Sequence, residues 1–472
     1  MKTFYWYDYE TFGINARTDR IAQFAGIRTD ENLNVLDEHM FYCKPTYDSL
    51  PSPEACAVTE ISPQFCEKNG DIEHQFINKI NQQFSQANTC VVGYNSIRFD
   101  DEFTRHALFR NFLDPYAWHW QNNNTRWDII DVVRLCYAFK KNETLNWVYN
   151  DEGNPVFKLD QLAPANGIEH TDAHDALADV RATIGIAKII KNKQPKLFDY
   201  AFSLRQKSEV EKKIQLFEPV LHTSSKYPAK LSCTRLVAPL AYHPKYPDRA
   251  ILFNLDQDPS TLLALTTDEL KTLLFTKKSE LPEGVERLQI KEMVFNKSPM
   301  ITPYRSGFPS EHVIKQLKID IDQCMKHLTF IKENQIQISQ VVQKLYGDDT
   351  QLEASGDVDQ SLYEGFIDNA DRRICNQIQN LSENELSNFH PKFNDKRLGK
   401  LLMHFKARNY PNTLSDDEKE DWFEIVQSRV QAGDNGYLSI EDYYQKLSEM
   451  RQQHPEKSKL WNELESFAER FL

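Results

Sequence analysis

Features that define several large classes of protein are missing from this 472-residue chain. It has no run of about 18 consecutive apolar residues, which a membrane-spanning helix would need, so we expect no contact with a membrane. The opening sequence MKTFYWYDYE lacks the basic region and apolar stretch of a signal peptide, which predicts a cytoplasmic protein. The chain also lacks an internal repeat of fixed period and any low-complexity tract, and this disfavours a solenoid.

Cysteine is present, but never in closely spaced pairs. The eight cysteines are scattered and no C-x-x-C pair occurs, so we expect reduced thiols. Hydrophobic residues make up 40% and charged residues 26% of the chain, close to the globular average, which predicts folded domains with sizeable cores. At roughly 150 residues per domain, the length predicts about three folding units.

Positive charge is scarce overall and unevenly distributed. The formal net charge is −13, which argues against a protein that binds polyanions over its whole surface. By segment, the net charge is −10 over residues 1–190, +5 over 191–350 and −8 over the remainder. The excess of positive charge is sharpest in residues 191–250, with twelve basic and five acidic residues. A basic segment therefore lies within an acidic chain.

The first part of the chain shows the alternation of an α/β fold. Residues 3–9 and 21–29 are rich in β-forming residues and flank a turn, so they predict a hairpin-like opening of a sheet. Apolar residues recur at helical spacing in 72–84, and a third strand is predicted at 89–95. An alanine-rich run at 171–190 predicts a buried helix.

The rest of the chain changes character twice. Residues 217–310 hold short β-rich runs separated by Pro, Asp and Gly, with one helical interlude, which predicts a mostly β domain. Helical patterns follow Pro309, and beyond a polar connector at 348–360 they predict helices opened by Ser or Asp caps. We therefore predict three domains of α/β, mostly β and all-helical class, with the boundaries 1–190, 195–348 and 351–472.

Two carboxylates stand near the end of the first predicted strand. Asp8 and Glu10 are two residues apart, and because side chains alternate across a sheet, both project from the same face. Two such charges repel one another unless a cation bridges them. An isolated D-x-E pair is more often a solvated strand end. The pair therefore indicates a functional site only together with further acidic residues.

Further candidates follow at two later places. Asp100 comes after the strand at 89–95, where the chain turns into a helix, and strand carboxyl ends are where α/β sites gather. In AHDALAD, His174 stands at the start of a helix and Asp179 lies about one and a third turns later. Each residue alone is more often structural or solvated, but their combination in order indicates a site.

The chemistry of these residues favours a hard divalent cation. Carboxylate oxygens suit Mg²⁺ or Mn²⁺, and paired ions can stabilise the attacking and leaving oxygens of phosphodiester cleavage. Histidine titrates near neutral pH, so His174 suits the role of a base toward the attacking water. His170 and His174 have the spacing of a zinc pair, but the surrounding acids favour harder ions. The carboxylates that could form the cage are Asp8, Glu10, Asp100 and Asp179.

Several segments together resemble a known family. YDYETFG, GYNSIRFDDEFTR and GIEHTDAHDALADV resemble the three motifs of the DEDD superfamily of 3′-to-5′ exonucleases, in its histidine-containing branch. With IAQFAGIRTD, FYCKP, RNFLDPYAWHW and KLFDY, the whole chain resembles the bacterial exonuclease I family. The resemblance implies a ribonuclease-H-like α/β nuclease domain, an SH3-like mostly β domain and a helical carboxyl-terminal domain.

The resemblance also implies roles for individual residues. It places the metal carboxylates at Asp8, Glu10, Asp100 and Asp179, and the general base at His174. Asp101 competes with Asp100 for the motif position. We prefer Asp100 because it directly follows Phe99, whereas the next residue of an extended segment would point to the other side.

The activity implied by the resemblance is hydrolysis of single-stranded DNA from its 3′ end, releasing 5′-mononucleotides. Two Mg²⁺ ions per site, with Mn²⁺ as a substitute, processive action, and service in DNA repair and recombination belong to the same expectation. The expected partners are single-stranded DNA and the acidic tail of single-strand DNA-binding protein. We expect a monomer.

Contacts to the strand are expected from aromatic and basic side chains. Tyr116, Trp118 and Trp120 offer rings, and although alternating aromatic residues are more often core, the resemblance favours Tyr116 and Trp120. The basic residues of 191–250 could hold phosphates, with a solvated surface as the alternative. Lysine at 158 would lack the planar fork of arginine. The substrate contacts implied by the resemblance are Glu10, Arg105, Tyr116, Trp120, Arg134, Lys158 and His174.

Two other functions stay open at this point. A 3′-exoribonuclease could use the same catalytic groups, since they attack phosphorus and need not sense the 2′-hydroxyl. A nucleic-acid-binding scaffold with an inactive site is the second alternative. The presence of all five catalytic positions argues against the scaffold.

Overall fold

The computed structural model describes residues 2–170, 175–305, 307–347 and 355–472. Contacts between Cα atoms divide the chain into two units. The first unit comprises residues 1–125, 170–184 and 352–472, and the second unit comprises residues 126–169 and 185–351. The three domain ranges predicted from the sequence stay predictions.

The regular elements alternate early in the chain and become helical toward its end. The strands, in chain order, are β1 (Thr3–Thr11), β2 (Ile21–Thr29), β3 (Val35–Tyr42), β4 (Thr89–Gly93), β5 (Thr125–Asp128), β6 (Val148–Tyr149), β7 (Pro155–Val156), β8 (Val220–Thr223), β9 (Thr234–Tyr242), β10 (Arg249–Asn254), β11 (Ile290–Val294) and β12 (Met300–Pro303). The α-helices, in chain order, are α1 (Pro53–Thr59), α2 (Pro63–Asn69), α3 (Glu73–Phe84), α4 (Asp100–Arg110), α5 (Ile129–Lys140), α6 (Leu159–Ala165), α7 (Ala176–Lys193), α8 (Pro195–Ser203), α9 (Lys207–Glu211), α10 (Thr261–Ala264), α11 (Thr267–Phe275), α12 (Glu311–Gln316), α13 (Ile321–Glu333), α14 (Gln335–Gly347), α15 (Asn369–Ile378), α16 (Glu383–Ser387), α17 (Lys396–Asn409), α18 (Asp416–Gln427), α19 (Ile440–Gln453) and α20 (Ser458–Ala468). Among these described helices, none is both long and apolar enough to cross a membrane.

The sheet of the first unit places β1 between two neighbours. Its strands lie in the order β3-β2-β1-β4. β1 pairs antiparallel with β2 and parallel with β4, and β2 pairs antiparallel with β3. The β1–β2 pair confirms the predicted hairpin, and β4 confirms the strand predicted at 89–95. Every residue of β2 is buried, so this strand is covered on both faces.

Aromatic side chains pack β1 against α3 and α4. The rings of Tyr7 and Phe84 meet edge to face with centroids 4.9 Å apart, within a core that also holds Phe24. Two tyrosine hydroxyls then reach α4: Tyr7 donates to Asp101 Oδ1 at 2.6 Å, and the Tyr9 hydroxyl lies 2.9 Å from Thr104 Oγ1. These contacts fix the first turn of α4 beside β1.

The second unit is built on an antiparallel sheet. Its strands lie in the order β11-β10-β9-β8-β12, and the pairs are antiparallel throughout. Leu236 of β9 and Phe253 of β10 share a buried core with Ile331 of α13 and Val342 of α14. The predicted helical interlude is α11. The structure therefore agrees with the mostly β class expected for the middle of the chain.

The carboxyl-terminal helices begin where the sequence predicts caps. The side chains of Asp395, Ser415 and Ser439 accept hydrogen bonds from backbone N–H groups in the first turns of α17, α18 and α19. α18 ends at Gln427, and a π-helical turn follows at Ser428–Ala432. All eight cysteines are free and buried.

A buried network of eight charged side chains joins the amino-terminal and carboxyl-terminal segments of the first unit. Arg429 pairs with Asp48 and Asp357, each at 2.6 Å, and with Asp359 at 2.5 Å. Arg408 pairs with Asp359 at 2.7 Å. The four positive and four negative charges balance one another. The members are Arg20, Asp48, Glu73, Arg110, Asp357, Asp359, Arg408 and Arg429.

One corner of this network has ligand atoms spaced as in a metal site. Asp357, Asp359 and His404 each offer an atom within 4.8 Å of the others. Arg408 and Arg429 already pair with these carboxylates, so guanidinium groups neutralise the cluster. We therefore interpret the cluster as structural.

The arginines also control the protonation of the buried carboxyls. Burial alone would raise the pKa of Asp48, but Arg20, Arg429 and Arg408 outweigh it and hold that pKa below its ordinary value. For Asp359, burial is likewise outweighed by Arg408, His404 and Arg429, and the pKa lies well below the ordinary value. These carboxyls stay ionised in the folded protein.

Acid should therefore destabilise the first unit. A carboxyl whose pKa is lowered by folding contributes stability above its unfolded pKa near 4, and loses it as pH falls. We expect the midpoint of thermal unfolding to fall as pH decreases from 5 to 3, with each strongly paired carboxyl contributing on the order of 2 kcal/mol. Asp48→Asn should show a shallower pH dependence over this range. An unchanged slope in the variant would contradict the assignment.

Candidate active site

Three carboxylates converge at one face of β1. Asp8 and Glu10 project from this strand, as the alternation of side chains predicts. Asp179, from the first turn of α7, completes the group. The ligand atoms of Asp8, Glu10 and Asp179 lie within 4.8 Å of one another. The structure therefore brings together three of the four predicted metal ligands in one cluster.

Asp100 belongs to the same electrostatic environment. It is the first residue of α4, it is buried, and its charge raises the pKa of Asp8 next after burial. Asp101 instead accepts the Tyr7 hydroxyl on the core side. Asp100 therefore stays the prediction for the fourth carboxylate, but the extended segment expected at Asp100 and Asp101 is wrong. The two residues lie in the first turn of a helix, so helical rotation separates them, rather than the alternation of an extended segment.

The segment before α7 carries two histidines with different outcomes. His174 lies outside the described residues. The His170 ring is buried and its Nε2 contacts Asp179 Oδ1. The spacing of His170 and His174 suggests only a zinc pair, and no sequence pattern predicts the contact of His170 with Asp179, nine residues away. A histidine that bonds a ligand carboxylate fixes the orientation of that carboxylate.

The crowding of carboxylates raises their proton affinity. Burial is the largest cause for Glu10, followed by the charges of Asp179 and Asp100, and together they raise its pKa to about 9. Burial, Asp100, Asp179 and Glu10 likewise raise the pKa of Asp8 well above its ordinary value. These carboxylate oxygens lie close together although burial and mutual repulsion disfavour their ionised forms. Such a set of oxygen ligands is typical of a site for a hard divalent cation. The residues present therefore fit such a metal.

A cavity of about 560 Å³ lies beside Glu10. Its lining combines apolar side chains with polar groups and includes residues of β1, α1 and α19. Ile14, Val58 and Leu438 supply apolar surface, and Lys446 lies at its wall in an ion pair with Glu54. The cavity therefore combines apolar surface with polar and charged groups next to the carboxylate cluster.

The predicted aromatic contacts differ in exposure. Trp120 is 59% exposed, whereas Tyr116 is half-buried beneath the guanidinium of Arg105, which lies 5.4 Å from its ring centroid. Trp118 belongs to the core, and its indole N–H donates to the Pro115 carbonyl at 3.1 Å. The exposed ring of Trp120 is thus available for stacking, and that of Trp118 is not.

The basic residues that are predicted to contact the strand also differ in their burial and in their ion pairs. Arg105 is buried and pairs with Glu102 at 2.9 Å. In the second unit, Arg134 is buried and pairs with Asp131 at 2.5 Å, while Lys158 is exposed before α6. Within the basic segment 191–250, Arg235 is buried against Asp256 and cannot serve as a surface phosphate contact.

Family models cover most of the chain in three stretches. The model described as Exonuclease matches residues 5–187. The model of the Exonuclease I SH3-like domain matches residues 205–348, and that of the Exonuclease I C-terminal domain matches residues 356–471. The order of these matches confirms the predicted fold class: an exonuclease domain, an SH3-like domain and a helical carboxyl-terminal domain.

Named relatives match over most of their length. Exodeoxyribonuclease I of Haemophilus influenzae is 41% identical over 474 residues, covering 100% of this chain and 99% of the relative. Exodeoxyribonuclease I of Escherichia coli is 41% identical over 425 residues, covering 89% of this chain and 88% of the relative. These matches confirm that the chain is a nuclease, a hydrolase.

Solved structures of the same kind superpose on the full chain. Escherichia coli Exonuclease I in complex with a dA16 oligonucleotide has a TM-score of 0.95 at 38% identity, and its zinc-bound complex with single-stranded DNA has a TM-score of 0.93 at 38% identity. A complex of SSB and Exonuclease I with the inhibitor CFAM has a TM-score of 0.90 at 37% identity. The first covers 100% of both chains, the second 100% of this chain and 99% of the other, and the third 100% of both. Sequence motifs, site geometry and full-length similarity agree that this chain belongs to the exodeoxyribonuclease I family.

Proposed function

We propose that the protein removes 5′-mononucleotides from the 3′ end of single-stranded DNA by metal-dependent hydrolysis. The single observation that carries this proposal is the cluster of Asp8, Glu10 and Asp179, with Asp100 beside it, in a chain of this family. Single-stranded DNA is the ligand of the related Escherichia coli enzyme. Processive action and a role in DNA repair and recombination stay predictions from the resemblance.

The carboxylates would hold two divalent ions, with Mg²⁺ as the expected metal and Mn²⁺ as a substitute. When bound, such ions neutralise the carboxylates and stabilise negative charge on the attacking and leaving oxygens. Zinc is bound in a structure of the related Escherichia coli enzyme, so Zn²⁺ belongs among the metals to be compared.

The protein's own groups have separate tasks in this proposal. Asp8, Glu10, Asp100 and Asp179 would hold the divalent ions, which would supply the positive charge that binds the scissile phosphate. His174, the predicted general base, takes the proton from the attacking water. His170 keeps the Asp179 carboxylate oriented. The terminal nucleotide enters the cavity beside Glu10, which also explains its expected substrate contact.

One degradation experiment tests the proposal. Purified protein is incubated with 5′-labelled single-stranded DNA, double-stranded DNA and single-stranded RNA, with Mg²⁺, Mn²⁺, Zn²⁺ or EDTA. Metal-dependent shortening of single-stranded DNA from its 3′ end is the expected result, with Asp8→Asn as the control for contaminating nuclease. Preferred digestion of RNA would instead establish an exoribonuclease, and binding without cleavage with any metal would establish a scaffold.

Trp120 provides a test of the strand contacts. Trp120→Ala should weaken binding of single-stranded DNA by about 1 to 3 kcal/mol, because one stacking platform is lost. The kcat at saturating DNA should change much less. Fluorescence anisotropy with a labelled oligonucleotide measures the affinity. Phe423→Ala removes a similarly exposed ring, 63% exposed on α18, and should leave affinity unchanged; equal effects of the two changes would refute stacking at Trp120.

The acidic tail of single-strand DNA-binding protein is the proposed protein partner. Support comes from the complex of SSB with the related Exonuclease I. A peptide of that tail should bind this protein with an affinity that falls as salt rises, since its charge must meet basic side chains. A peptide with its acidic residues replaced by amides should bind more weakly.

A further inference from the structure

The site contains a buried amide that none of the catalytic roles uses. Gln23 lies in β2 directly opposite Glu10 of β1, so both side chains project from the same face of the sheet. It is only 2% exposed in a strand whose other central residues are apolar. A buried amide needs hydrogen-bond partners on both its oxygen and its nitrogen, because leaving either unpaired is costly.

The partners of Gln23 lie at the start of α7. Its Nε2 donates to Asp175 Oδ1 at 3.0 Å, and its Oε1 accepts from the backbone N–H of Ala176 at 3.4 Å. Nε2 also donates to the Tyr42 hydroxyl at 3.1 Å, which ties the amide to β3. The amide therefore bonds both the residue before the helix and the first residue of the helix.

The contact continues to the catalytic cluster through one backbone bond. The N–H of Asp179 donates to the carbonyl of Asp175 at 3.1 Å. Gln23 thus bonds Asp175, whose carbonyl accepts a hydrogen bond in the first turn of α7. Asp179 is the donor of that bond. The predicted base, His174, directly precedes Asp175 in the sequence.

Electrostatics explains why this helix start needs a neutral anchor. Asp179 must stand beside Asp8 and Glu10, and three carboxylates within 4.8 Å repel one another before any cation binds. An amide can grip Asp175 and a backbone N–H without adding charge. We propose that Gln23 is a positioning residue that holds the start of α7, and with it Asp179, against the strand that carries Asp8 and Glu10. This inference rests on the proposed function of the same site.

The test separates positioning from a general loss of structure. Gln23→Met keeps the length and volume of the side chain but removes its hydrogen bonds. We expect kcat on single-stranded DNA to fall about 10- to 100-fold, as for other groups that orient metal ligands, while KM for DNA stays within about twofold. Gln379→Met is the matched control, since that amide also bonds through both ends, to His74 and Asn111, away from the carboxylates. It should leave kcat unchanged.

Two further measurements complete the test, and the first of them does not require activity of the metal-loaded enzyme. Hydrogen exchange of amides 176–184 in metal-free protein should accelerate in Gln23→Met and not in Gln379→Met, whether or not DNA proves to be the substrate. Gln23→Glu should be strongly impaired, because its carboxylate would face both Asp175 and Glu10. Wild-type kcat in Gln23→Met, a rise in KM alone, unchanged exchange, or wild-type kcat in Gln23→Glu would each overturn the proposal.

Discussion

Replacing Asp8 or Asp179 with alanine should abolish cleavage of single-stranded DNA while leaving binding of the strand intact. Each change removes one of three carboxylates that converge within 4.8 Å, and a cage that lacks one donor loses charge and geometry together. Several kcal/mol of transition-state stabilisation at a divalent metal site corresponds to a loss of about a thousandfold or more in kcat. Single-turnover cleavage of a labelled oligonucleotide measures it.

Replacing the Asp8 carboxylate should also have an opposite effect on stability. Burial and neighbouring carboxylates raise the pKa of Asp8, so its ionised form is strained in the metal-free protein. Asp8→Asn should therefore raise the midpoint of thermal unfolding in EDTA while it abolishes activity. A variant that lost activity together with stability would indicate misfolding, and full activity in either alanine variant would refute the site.

Asp101 supplies the matched control for this assignment. Asp101→Asn keeps an oxygen for the Tyr7 hydroxyl and leaves the carboxylate cluster untouched, so kcat should stay within about tenfold of wild type. Asp100→Asn should be as damaging as Asp8→Asn. The reverse ranking would move the fourth carboxylate to Asp101.

The sequence predicts those features of the site that depend on the local alternation of side chains along a strand. Asp8 and Glu10 share a face because a strand alternates, and the structure keeps that alternation. Trp120 and Trp118 have the same spacing, yet one is exposed and the other is in the core. Local spacing alone does not decide that difference, because the packing of Phe84 against Trp118 comes from a distant helix.

The periodicity of strands and helices does not predict polar contacts between residues that are far apart in the sequence. Gln23 donates a hydrogen bond to Asp175, which lies 152 positions later in the sequence. The only sequence signal for a buried partner is the position of Gln23 within the apolar run IAQFAGI. The sequence suggests that Arg105 is a cation on the surface. In the structure it is buried, pairs with Glu102 and lies near Tyr363 of the carboxyl-terminal segment. The sequence predicts which elements form, whereas tertiary packing determines which polar groups meet.

Arg429 is the position where one substitution should destabilise the protein most. Its guanidinium donates to Asp48, Asp357 and Asp359, and the side chain is buried beside the Tyr437 ring. Arg429→Met keeps much of the volume but leaves a buried excess of negative charge. Removing one partner of a buried pair typically costs about 3 to 5 kcal/mol. The thermal midpoint should fall by roughly 10 °C.

An exposed ion pair provides the comparison for that effect. Lys419 pairs with Asp416 at 2.8 Å on the surface of α18, and Lys419→Met should change stability by less than about 1 kcal/mol. Because Asp48 lies 381 positions from Arg429, the loss in Arg429→Met should loosen the contact between the amino-terminal and carboxyl-terminal segments of the first unit. Proteolysis should then release the carboxyl-terminal helices faster than in wild type. Equal stability of the two methionine variants would show that the buried network contributes no more than a surface pair.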